Sequence, residues 1–333
     1  MSAAHLVLAQ AEEEPIGPGE KYVQAVVNTG EGIRVVKVGE PDEPGVRISV
    51  ASAGICGTDV LLASSGVMGF VYGHEFAGVD DSGQAYFVEP TVYGGACDEC
   101  RAGHPQRCTE EGHGNLGVFS DGGMTERIVV PEYTLLALPP ELSVRDACLI
   151  EPGAVAWHAV RRAQPREGER ILVVGGGSIG LLAAAAARSQ GFEADLEARH
   201  PAQLEAAERL GFGRPNGVYD VVIDAAGSAT SLDRAAEAAR PGGRIVPLGV
   251  YLDRMPVPGS AVSQVKELTY VSSIAYGRHD GVREVGEVAG MLAGNPELAR
   301  TIITHRYPLE DAREAFRVAG DRVAGAIKVV LEP

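Results

Sequence analysis

The sequence lacks any long uncharged apolar stretch and is short of basic residues. Among its 333 residues, no run approaches the roughly 18 consecutive apolar residues that a membrane span needs, so we expect no membrane partner. Lys and Arg number 29 against 45 Asp and Glu, which gives a net charge of −16. A negative field of this kind repels phosphate backbones, so we expect no nucleic-acid partner either.

Cysteine is also scarce, and its distribution is uneven. Only five cysteines are present, and three of them, Cys97, Cys100 and Cys108, are clustered. An odd, clustered set in a chain of this length favours metal ligation over a disulfide framework. Residues 1–20 carry no positively charged flank before their apolar run, which a secretory signal requires. We therefore interpret them as a flexible extension and predict a cytoplasmic protein.

The two halves of the chain differ in their hydrophobic pattern. Residues 22–130 carry short apolar runs broken by Gly and Pro, which predicts a β-rich domain with many loops. After Glu151, apolar runs alternate with helical stretches, as in βαβ units with a parallel sheet. The predicted strands are 171–174, 194–198, 220–225, 244–250 and 326–331, and the predicted helices are 178–190, 201–210, 232–239, 282–293 and 309–319. The sequence leaves open which domain the closing strand joins.

A glycine motif follows the first strand of the second half. The segment Gly-Gly-Gly-Ser-Ile-Gly satisfies the pattern G-x-G-x-x-G between a buried strand and an alanine-rich helix. In that context Gly175 makes the tight turn, Gly177 lets the backbone approach a pyrophosphate, and Gly180 lets the helix pack closely on the strand. The helix start at Ser178 and Ile179 offers N–H groups to the phosphates. The motif therefore predicts a dinucleotide site.

The end of the next strand predicts which dinucleotide is bound. An NAD site places a carboxylate there, about 20 residues after the glycines, to accept a hydrogen bond from the ribose 2′-hydroxyl. The predicted strand 194–198 ends at Ala198, and Arg199 and His200 follow it. Since no carboxylate would repel a 2′-phosphate and a guanidinium would bind it, the sequence favours NADP over NAD. A shift of one residue would put Glu197 at this place and favour NAD.

Three polar groups in the first half suggest a metal. Cys56 and His74 lie in Gly-rich segments, and Glu151 is followed by Pro. A thiolate, an imidazole and a carboxylate suit Zn²⁺ with one coordination position left open. In this order, ahead of a dinucleotide motif, they resemble the zinc-dependent medium-chain dehydrogenase/reductase family. The resemblance runs from about Lys21 to the C-terminus.

Further motifs support this resemblance. The segments Asp-Gly-Gly-Met-Thr-Glu at 121–126 and Asp-Val-Val-Ile-Asp-Ala-Ala-Gly at 220–227 are similar to family segments. The Glu-Pro pair at 151–152 is similar to the sorbitol and threonine dehydrogenase branch. The resemblance also extends the cofactor-binding residues to Ala226, Gly249 and Val250.

By this resemblance, Cys56, His74 and either Glu151 or Glu75 hold a catalytic zinc ion, and Asp59 orients the ligands. The zinc would act as a Lewis acid on an alcohol whose hydride passes to the nicotinamide.

Thr58 matches the hydroxyl that begins the family's proton relay. Leu61, however, stands where the family often has the His that completes the relay. Proton exit would then use Glu75 or Glu151 and a water molecule.

The clustered cysteines depart from the family in one position. The family's structural zinc lobe has four Cys at spacings of three, three and eight. Cys97, Cys100 and Cys108 match the last three, and Gly94 occupies the first place. A closed structural zinc site needs four ligands. Either a nearby Glu, Asp or His supplies the fourth, or the lobe is empty, and the sequence leaves both open.

The resemblance implies an α/β protein with two domains. Residues 1–152 and 280–333 would form a GroES-like β-rich catalytic domain, and residues 153–279 a Rossmann domain with a doubly wound parallel sheet. The active site would lie in the cleft between them.

The implied reaction is reversible oxidation of a small-molecule secondary alcohol, polyol or sugar-like alcohol to the ketone. The alternatives are a zinc-free enone or quinone reductase and a non-catalytic NADP-binding protein. The family also implies a homodimer or homotetramer, with a subunit contact near 244–251.

Overall fold

A computed structural model describes residues 21–67, 69–249, 260–321 and 323–333, so the predicted extension at 1–20 lies outside the described residues. The chain divides into two compact units: residues 1–151 with 303–333, and residues 152–302. Within the described ranges, no helix combines the length and the apolar character that crossing a bilayer requires.

The elements are numbered in chain order within the described ranges. The strands are β1 (Tyr22–Thr29), β2 (Gly32–Gly39), β3 (Val46–Ile55), β4 (Glu75–Asp80), β5 (Ala85–Val88), β6 (Thr91–Val92), β7 (Gly114–Asn115), β8 (Arg127–Val130), β9 (Leu135–Ala137), β10 (Arg170–Val174), β11 (Glu193–Glu197), β12 (Tyr219–Asp224), β13 (Ala239–Pro247), β14 (Thr269–Tyr270), β15 (Arg278–His279), β16 (Val282–Arg283), β17 (Ile303–Pro308) and β18 (Lys328–Glu332). The helices are α1 (Gly57–Ser64), α2 (Asp98–Arg101), α3 (Ile150–Ala163), α4 (Ser178–Ser189), α5 (Pro201–Arg209), α6 (Ala229–Ala238), α7 (Ser260–Val265), α8 (Glu284–Gly294), α9 (Pro296–Ile302) and α10 (Ala312–Gly320).

The first unit is built around a sheet with the order β17-β18-β3-β4-β5-β9, in which β8 also pairs with β3. Strand β3 is central, and its side chains alternate between buried and partly exposed over most of its length. The closing strand β18 pairs antiparallel with β3, with Val329 opposite Ile55 and Leu331 opposite Ala53. The end of the chain therefore belongs to the first unit, a question that the sequence leaves open.

The second unit contains a parallel sheet with the order β11-β10-β12-β13-β14. From β10 the chain moves first to β11 on one side and later to β12 on the other side. The strand order therefore reverses at the carboxyl ends of β10 and β12, where ligands bind in doubly wound sheets. Helix α4, which follows β10, buries a continuous run from Gly180 to Ala187. The predicted Rossmann domain is confirmed.

The predicted domain boundary at residue 280 needs correction, because residues 280–302 belong to the second unit. A Cβ placed on Gly153 in helix α3 would lie 2.5 Å from Cγ1 of Val288 in helix α8, so these two helices pack in close contact. Burial of the apolar face of α8, including Val285 and Leu292, keeps this segment in the second unit.

Element ends differ from the predictions in two places that matter for function. The predicted strand 244–250 begins earlier, because β13 starts at Ala239. Its predicted end, Val250, lies outside the described residues, and so does Tyr251 at the end of the expected subunit contact. The predicted strand 194–198 ends one residue earlier, at Glu197.

Candidate metal centres and dinucleotide turn

Cys56 lies between strand β3 and helix α1. Its backbone N–H donates a hydrogen bond of 2.8 Å to Oδ2 of Asp59, so the Asp59 carboxylate caps the start of α1. Asp59 is fully buried. The antiparallel pairing of β3 with β4 places Gly54 opposite Glu75. The end of one strand and the start of the next therefore bring Cys56 and Glu75 to the same place.

The loop that carries His74 is held by the segment 121–126. The N–H groups of Gly122, Gly123 and Met124 donate 2.8 Å hydrogen bonds to the carbonyls of residues 71, 73 and 72, respectively. Gly73 has a φ of +100°, which favours glycine, and a Cβ there would lie 2.6 Å from Cγ of Met124. The glycines at 122–123 thus allow a close backbone approach that fixes the residue before His74.

The side chains of Cys56, His74 and Glu75 converge. Each offers one ligand atom, and these atoms lie within 4.8 Å of one another. His74 Nδ1 lies 3.3 Å from Oδ1 of Asp59, so the carboxylate faces the imidazole ring. Burial opposes protonation of His74, but its interactions with the adjacent Asp59 and Cys56 side chains raise its pKa well above the usual value. The cluster therefore favours a positive charge at its centre.

Lys328, the first residue of β18, was missed by sequence reasoning. Its buried Nζ donates to both carboxylate oxygens of Glu75, at 2.9 and 2.7 Å, and to the carbonyl of Ile55 at 3.2 Å. A Cβ on Gly54 would overlap the Glu75 carboxylate, so only glycine leaves room for this ion pair. A lysine directly before an apolar run, here Val329–Leu331, is a local sign of such a pair, although it does not identify the partner.

Glu151 and Thr58 lie in the same unit as this cluster. Glu151 is the second residue of α3 and is buried. Burial raises its pKa to about 7, while the nearby His74 acts in the opposite direction. Thr58 lies half-buried in the first turn of α1, and Leu61 follows on the same helix.

The clustered cysteines form a second group of donors, which includes Glu110. Sequence reasoning did not identify Glu110, although it lies only two residues after Cys108. Backbone N–H groups of Thr109 and Cys100 lower the pKa of Cys97 to about 6. Burial raises the pKa of the neighbouring Cys100 to about 12.

The glycine motif lies at the reversal of strand order. Gly175 has a φ of +115°, its N–H donates to the carbonyl of Glu197 at 2.9 Å, and a Cβ there would lie 2.9 Å from the nitrogen of Ala226. A Cβ on Gly180 would overlap the Gly175 carbonyl oxygen, so the helix can approach the turn only with glycine there. A Cβ on Gly177 would meet open space, which leaves room for a ligand.

Although β11 ends at Glu197, its carboxylate is bound by Arg234, with 2.8 Å between Oε2 and the guanidinium. The next side chain, Ala198, faces the glycine turn, since a Cβ on Gly176 would lie 2.6 Å from the Ala198 Cβ. Arg199 is exposed.

Two further predicted residues lie close to this turn. His200 is the residue that precedes α5. A Cβ on Gly249 would overlap Gly227, so the loops after β12 and β13 lie in close contact.

Comparison with known proteins gives matches along most of the chain. Residues 42–140 match the model of the alcohol dehydrogenase GroES-like domain, and residues 192–330 match that of the zinc-binding dehydrogenase. L-galactonate-5-dehydrogenase of Escherichia coli strain K12 is 30% identical, with 83% of this chain and 88% of that protein covered. Probable D-xylulose reductase A of Neosartorya fischeri is 31% identical, with 86% and 91% covered. The crystal structure of galactitol-1-phosphate dehydrogenase from Escherichia coli superposes with a TM-score of 0.82 at 27% identity, with 93% of this chain and 100% of that chain covered.

Proposed function

This chain belongs to the zinc-dependent medium-chain alcohol dehydrogenase family, and we propose that it reversibly oxidises a secondary hydroxyl group of a polyol or sugar-like alcohol, with NADP as the preferred acceptor. The convergence of Cys56, His74 and Glu75 carries this proposal. The three relatives above are named for a sugar acid, a sugar and a polyol phosphate, and these names support the substrate class.

The donor set fits zinc. A thiolate, an imidazole and a carboxylate suit Zn²⁺, and three protein ligands leave a position for water or substrate. The surroundings also fit a cation, because Asp59 and Glu151 are buried beside the ligands and Lys328 is already paired with Glu75. Additional positive charge would balance this excess of acidic groups.

We assign the ligands to Cys56, His74 and Glu75, with Glu151 as the alternative to Glu75. Asp59 would keep the His74 ring in its ligating orientation, as a carboxylate beside a metal-bound imidazole usually does. Lys328 would restrain Glu75 and offset part of its charge. A zinc ion held by these residues would supply the Lewis acidity that lowers the pKa of a bound alcohol, and a nicotinamide cofactor would supply the hydride acceptor.

Proton release needs a route that does not use the histidine of the family relay, since Leu61 occupies its place. Thr58 would accept a hydrogen bond from the reacting hydroxyl group and pass the proton on. Glu151 is suited to take it through a water molecule, because its carboxyl group is buried near His74 and its pKa in the metal-free protein is raised to about 7. Glu75 is less suited, because both its oxygens are bound by Lys328.

Three features support NADP. Ala198, which faces the glycine turn, carries no carboxylate for the ribose 2′-hydroxyl. Glu197 is neutralised by Arg234. Arg199 is exposed beside them and offers a guanidinium to a 2′-phosphate. The glycine turn itself, from Gly175 to Gly180, would receive the pyrophosphate at the start of α4.

The test is steady-state oxidation of a panel of polyols and sugar acids with NADP⁺ and NAD⁺, with zinc content measured on the same preparations. Cys56→Ala should lower kcat/KM by about 1000-fold or more, a barrier increase of about 4 kcal/mol, and lose one zinc ion per chain. Cys148→Ala removes a buried thiol that is not a proposed ligand. This variant should keep the wild-type kcat/KM and the wild-type zinc content.

Full activity in Cys56→Ala would refute the assigned site. A higher kcat/KM with NAD⁺, unchanged in Arg199→Ala, would refute the cofactor preference while leaving the metal site intact.

A further inference from the structure

A second set of donors lies on the loop between β6 and β7. These two strands pair, with Thr91 opposite Asn115, so the loop leaves and re-enters the unit at one point. Cys97 precedes helix α2, and Cys108 follows the short helical turn at Pro105–Arg107. The two turns fold the loop back on itself and bring its cysteines together, along with Glu110.

The donors are spaced as a tetrahedral zinc site requires. Cys108 Sγ lies 3.9 Å from Cys97 Sγ and 3.7 Å from Glu110 Oε2. With Zn–S bonds of about 2.3 Å and Zn–O bonds of about 2.1 Å, a tetrahedron has S–S edges of about 3.8 Å and S–O edges of about 3.6 Å. One ligand atom from each of Cys97, Cys100, Cys108 and Glu110 lies within 4.8 Å of the other three.

Glu110 occupies the space that a side chain at position 94 would need. A Cβ placed on Gly94 would lie 2.5 Å from Oε2 and 2.7 Å from Cδ of Glu110. The same Oε2 accepts a 2.9 Å hydrogen bond from the backbone N–H of Ala96. The missing side chain at Gly94 and the carboxylate of Glu110 are therefore complementary.

We propose that Glu110 is the fourth ligand of a structural Zn²⁺ site whose other ligands are Cys97, Cys100 and Cys108. Three thiolates and one carboxylate carry the same formal charge as four thiolates, so the replacement preserves the electrostatic balance of a closed site. The three sulfur ligands favour zinc over Mg²⁺ and Ca²⁺. No coordination position remains for a substrate, so the site is separate from the cluster at Cys56.

The test measures zinc per chain after dialysis against a competing chelator, together with the reactivity of the lobe cysteines toward an alkylating reagent. The wild-type chain should retain two zinc ions with slow alkylation of Cys97, Cys100 and Cys108. Glu110→Ala should retain one, and the three thiols should react rapidly. Glu111→Ala, which removes an exposed neighbouring carboxylate, should match the wild type.

A double variant tests the complementarity of positions 94 and 110. Gly94→Cys combined with Glu110→Ala moves the fourth donor across the site and should restore the second zinc ion and the slow alkylation. A second zinc ion retained in Glu110→Ala with protected thiols would overturn the proposal. The proposal would also be overturned if the wild-type chain held only one zinc ion and that ion were lost in Cys56→Ala, because the lobe would then hold none. Cys56→Ala should keep the zinc ion of the lobe. Failure of the proposed function and failure of this inference therefore give different zinc contents.

Discussion

The two candidate metal centres lie in the same unit but are built in different ways. The cluster at Cys56 is assembled by pairing between β3, β4 and β18, whose residues are far apart in sequence. Its charged and ionisable groups Asp59, His74, Glu75 and Lys328 are buried, and Cys56 is partly buried. The lobe of Cys97, Cys100, Cys108 and Glu110 is assembled within one continuous loop, and only Cys108 among its four ligands is buried.

The two clusters should therefore differ in how strongly the stability of the first unit depends on each of their side chains. In the buried cluster each charged side chain needs a partner, because an unpaired charge in a low-dielectric interior is costly. Removal of one partner of a buried ion pair should therefore lower the stability of the whole unit. In the lobe three of the four ligands are partly accessible to water and all four belong to one loop, so removal of one should release the metal and leave the surrounding sheet folded.

The largest expected effect is at Lys328. Lys328→Met leaves the buried Glu75 carboxylate without its ammonium partner and should lower the free energy of unfolding by about 3–5 kcal/mol. The pKa of Lys328 is raised, because Glu75 and Cys56 outweigh the effect of burial. A raised lysine pKa stabilises the fold at every pH below the usual lysine value, so Lys328 should contribute equally to the wild type at pH 6 and pH 9. In Lys328→Met the unpaired Glu75 can take up a proton, so the loss should be smaller at pH 6 than at pH 9.

Urea denaturation of metal-free protein measures this loss. Lys37→Met, at an exposed lysine of β2 whose ammonium lies over the Tyr22 ring, serves as the control and should change stability by no more than about 1 kcal/mol. Addition of Glu75→Gln to Lys328→Met should recover part of the loss, since the unpaired charge is then absent. Equal effects of Lys328→Met and Lys37→Met would show that the buried pair contributes nothing.

A smaller effect, with a pH dependence of its own, is expected at Glu151. Its folded pKa of about 7 exceeds the usual 4.5, so the folded state binds the proton more tightly than the unfolded state. Stability of the metal-free protein should therefore fall as the pH rises from 5 to 8. At about 1.4 kcal/mol per pKa unit, the ceiling is about 3 kcal/mol.

Glu151→Gln cannot ionise and should remove this part of the pH dependence. Urea denaturation at pH 5 and pH 8 should find the variant more stable than the wild type only at the higher pH. Glu111→Gln, at an exposed carboxylate, should follow the wild type at both. A wild-type chain as stable at pH 8 as at pH 5, after metal removal, would contradict the prediction.

Local patterns predicted most of the second unit. The apolar strand β10, the glycines after it and the alanine-rich α4 are each specified by consecutive residues. The boundary at residue 280 was wrong because amphipathic helices such as α8 carry no local mark of the surface they cover. The end of β11 was misplaced by one residue, yet the side chain that faces the glycine turn is still Ala198.

The two candidate metal centres show the same contrast between features that consecutive residues specify and features that depend on the fold. Cys56 and His74 were identified by their resemblance to family motifs, but Lys328 was missed because its role depends on the pairing of β18 with β3. Glu110 was missed for a different reason. A carboxylate two residues after a cysteine is common in polar loops, and only the folded loop shows that it fills the space beside Gly94.

The smallest expected effect on global stability belongs to the lobe. Within the described chain, the apolar core cluster of the first unit includes no side chain between residues 93 and 113, so release of zinc by Glu110→Ala should leave that core intact. In metal-free protein, Glu110→Ala should change the free energy of unfolding by less than about 1 kcal/mol. With zinc present, limited proteolysis within residues 94–113 should be accelerated in the variant by about tenfold or more. Cleavage sites located by mass spectrometry would separate this local opening from global unfolding. A loss as large as that of Lys328→Met would mean that the lobe supports the core, and the contrast between the two metal centres would fail.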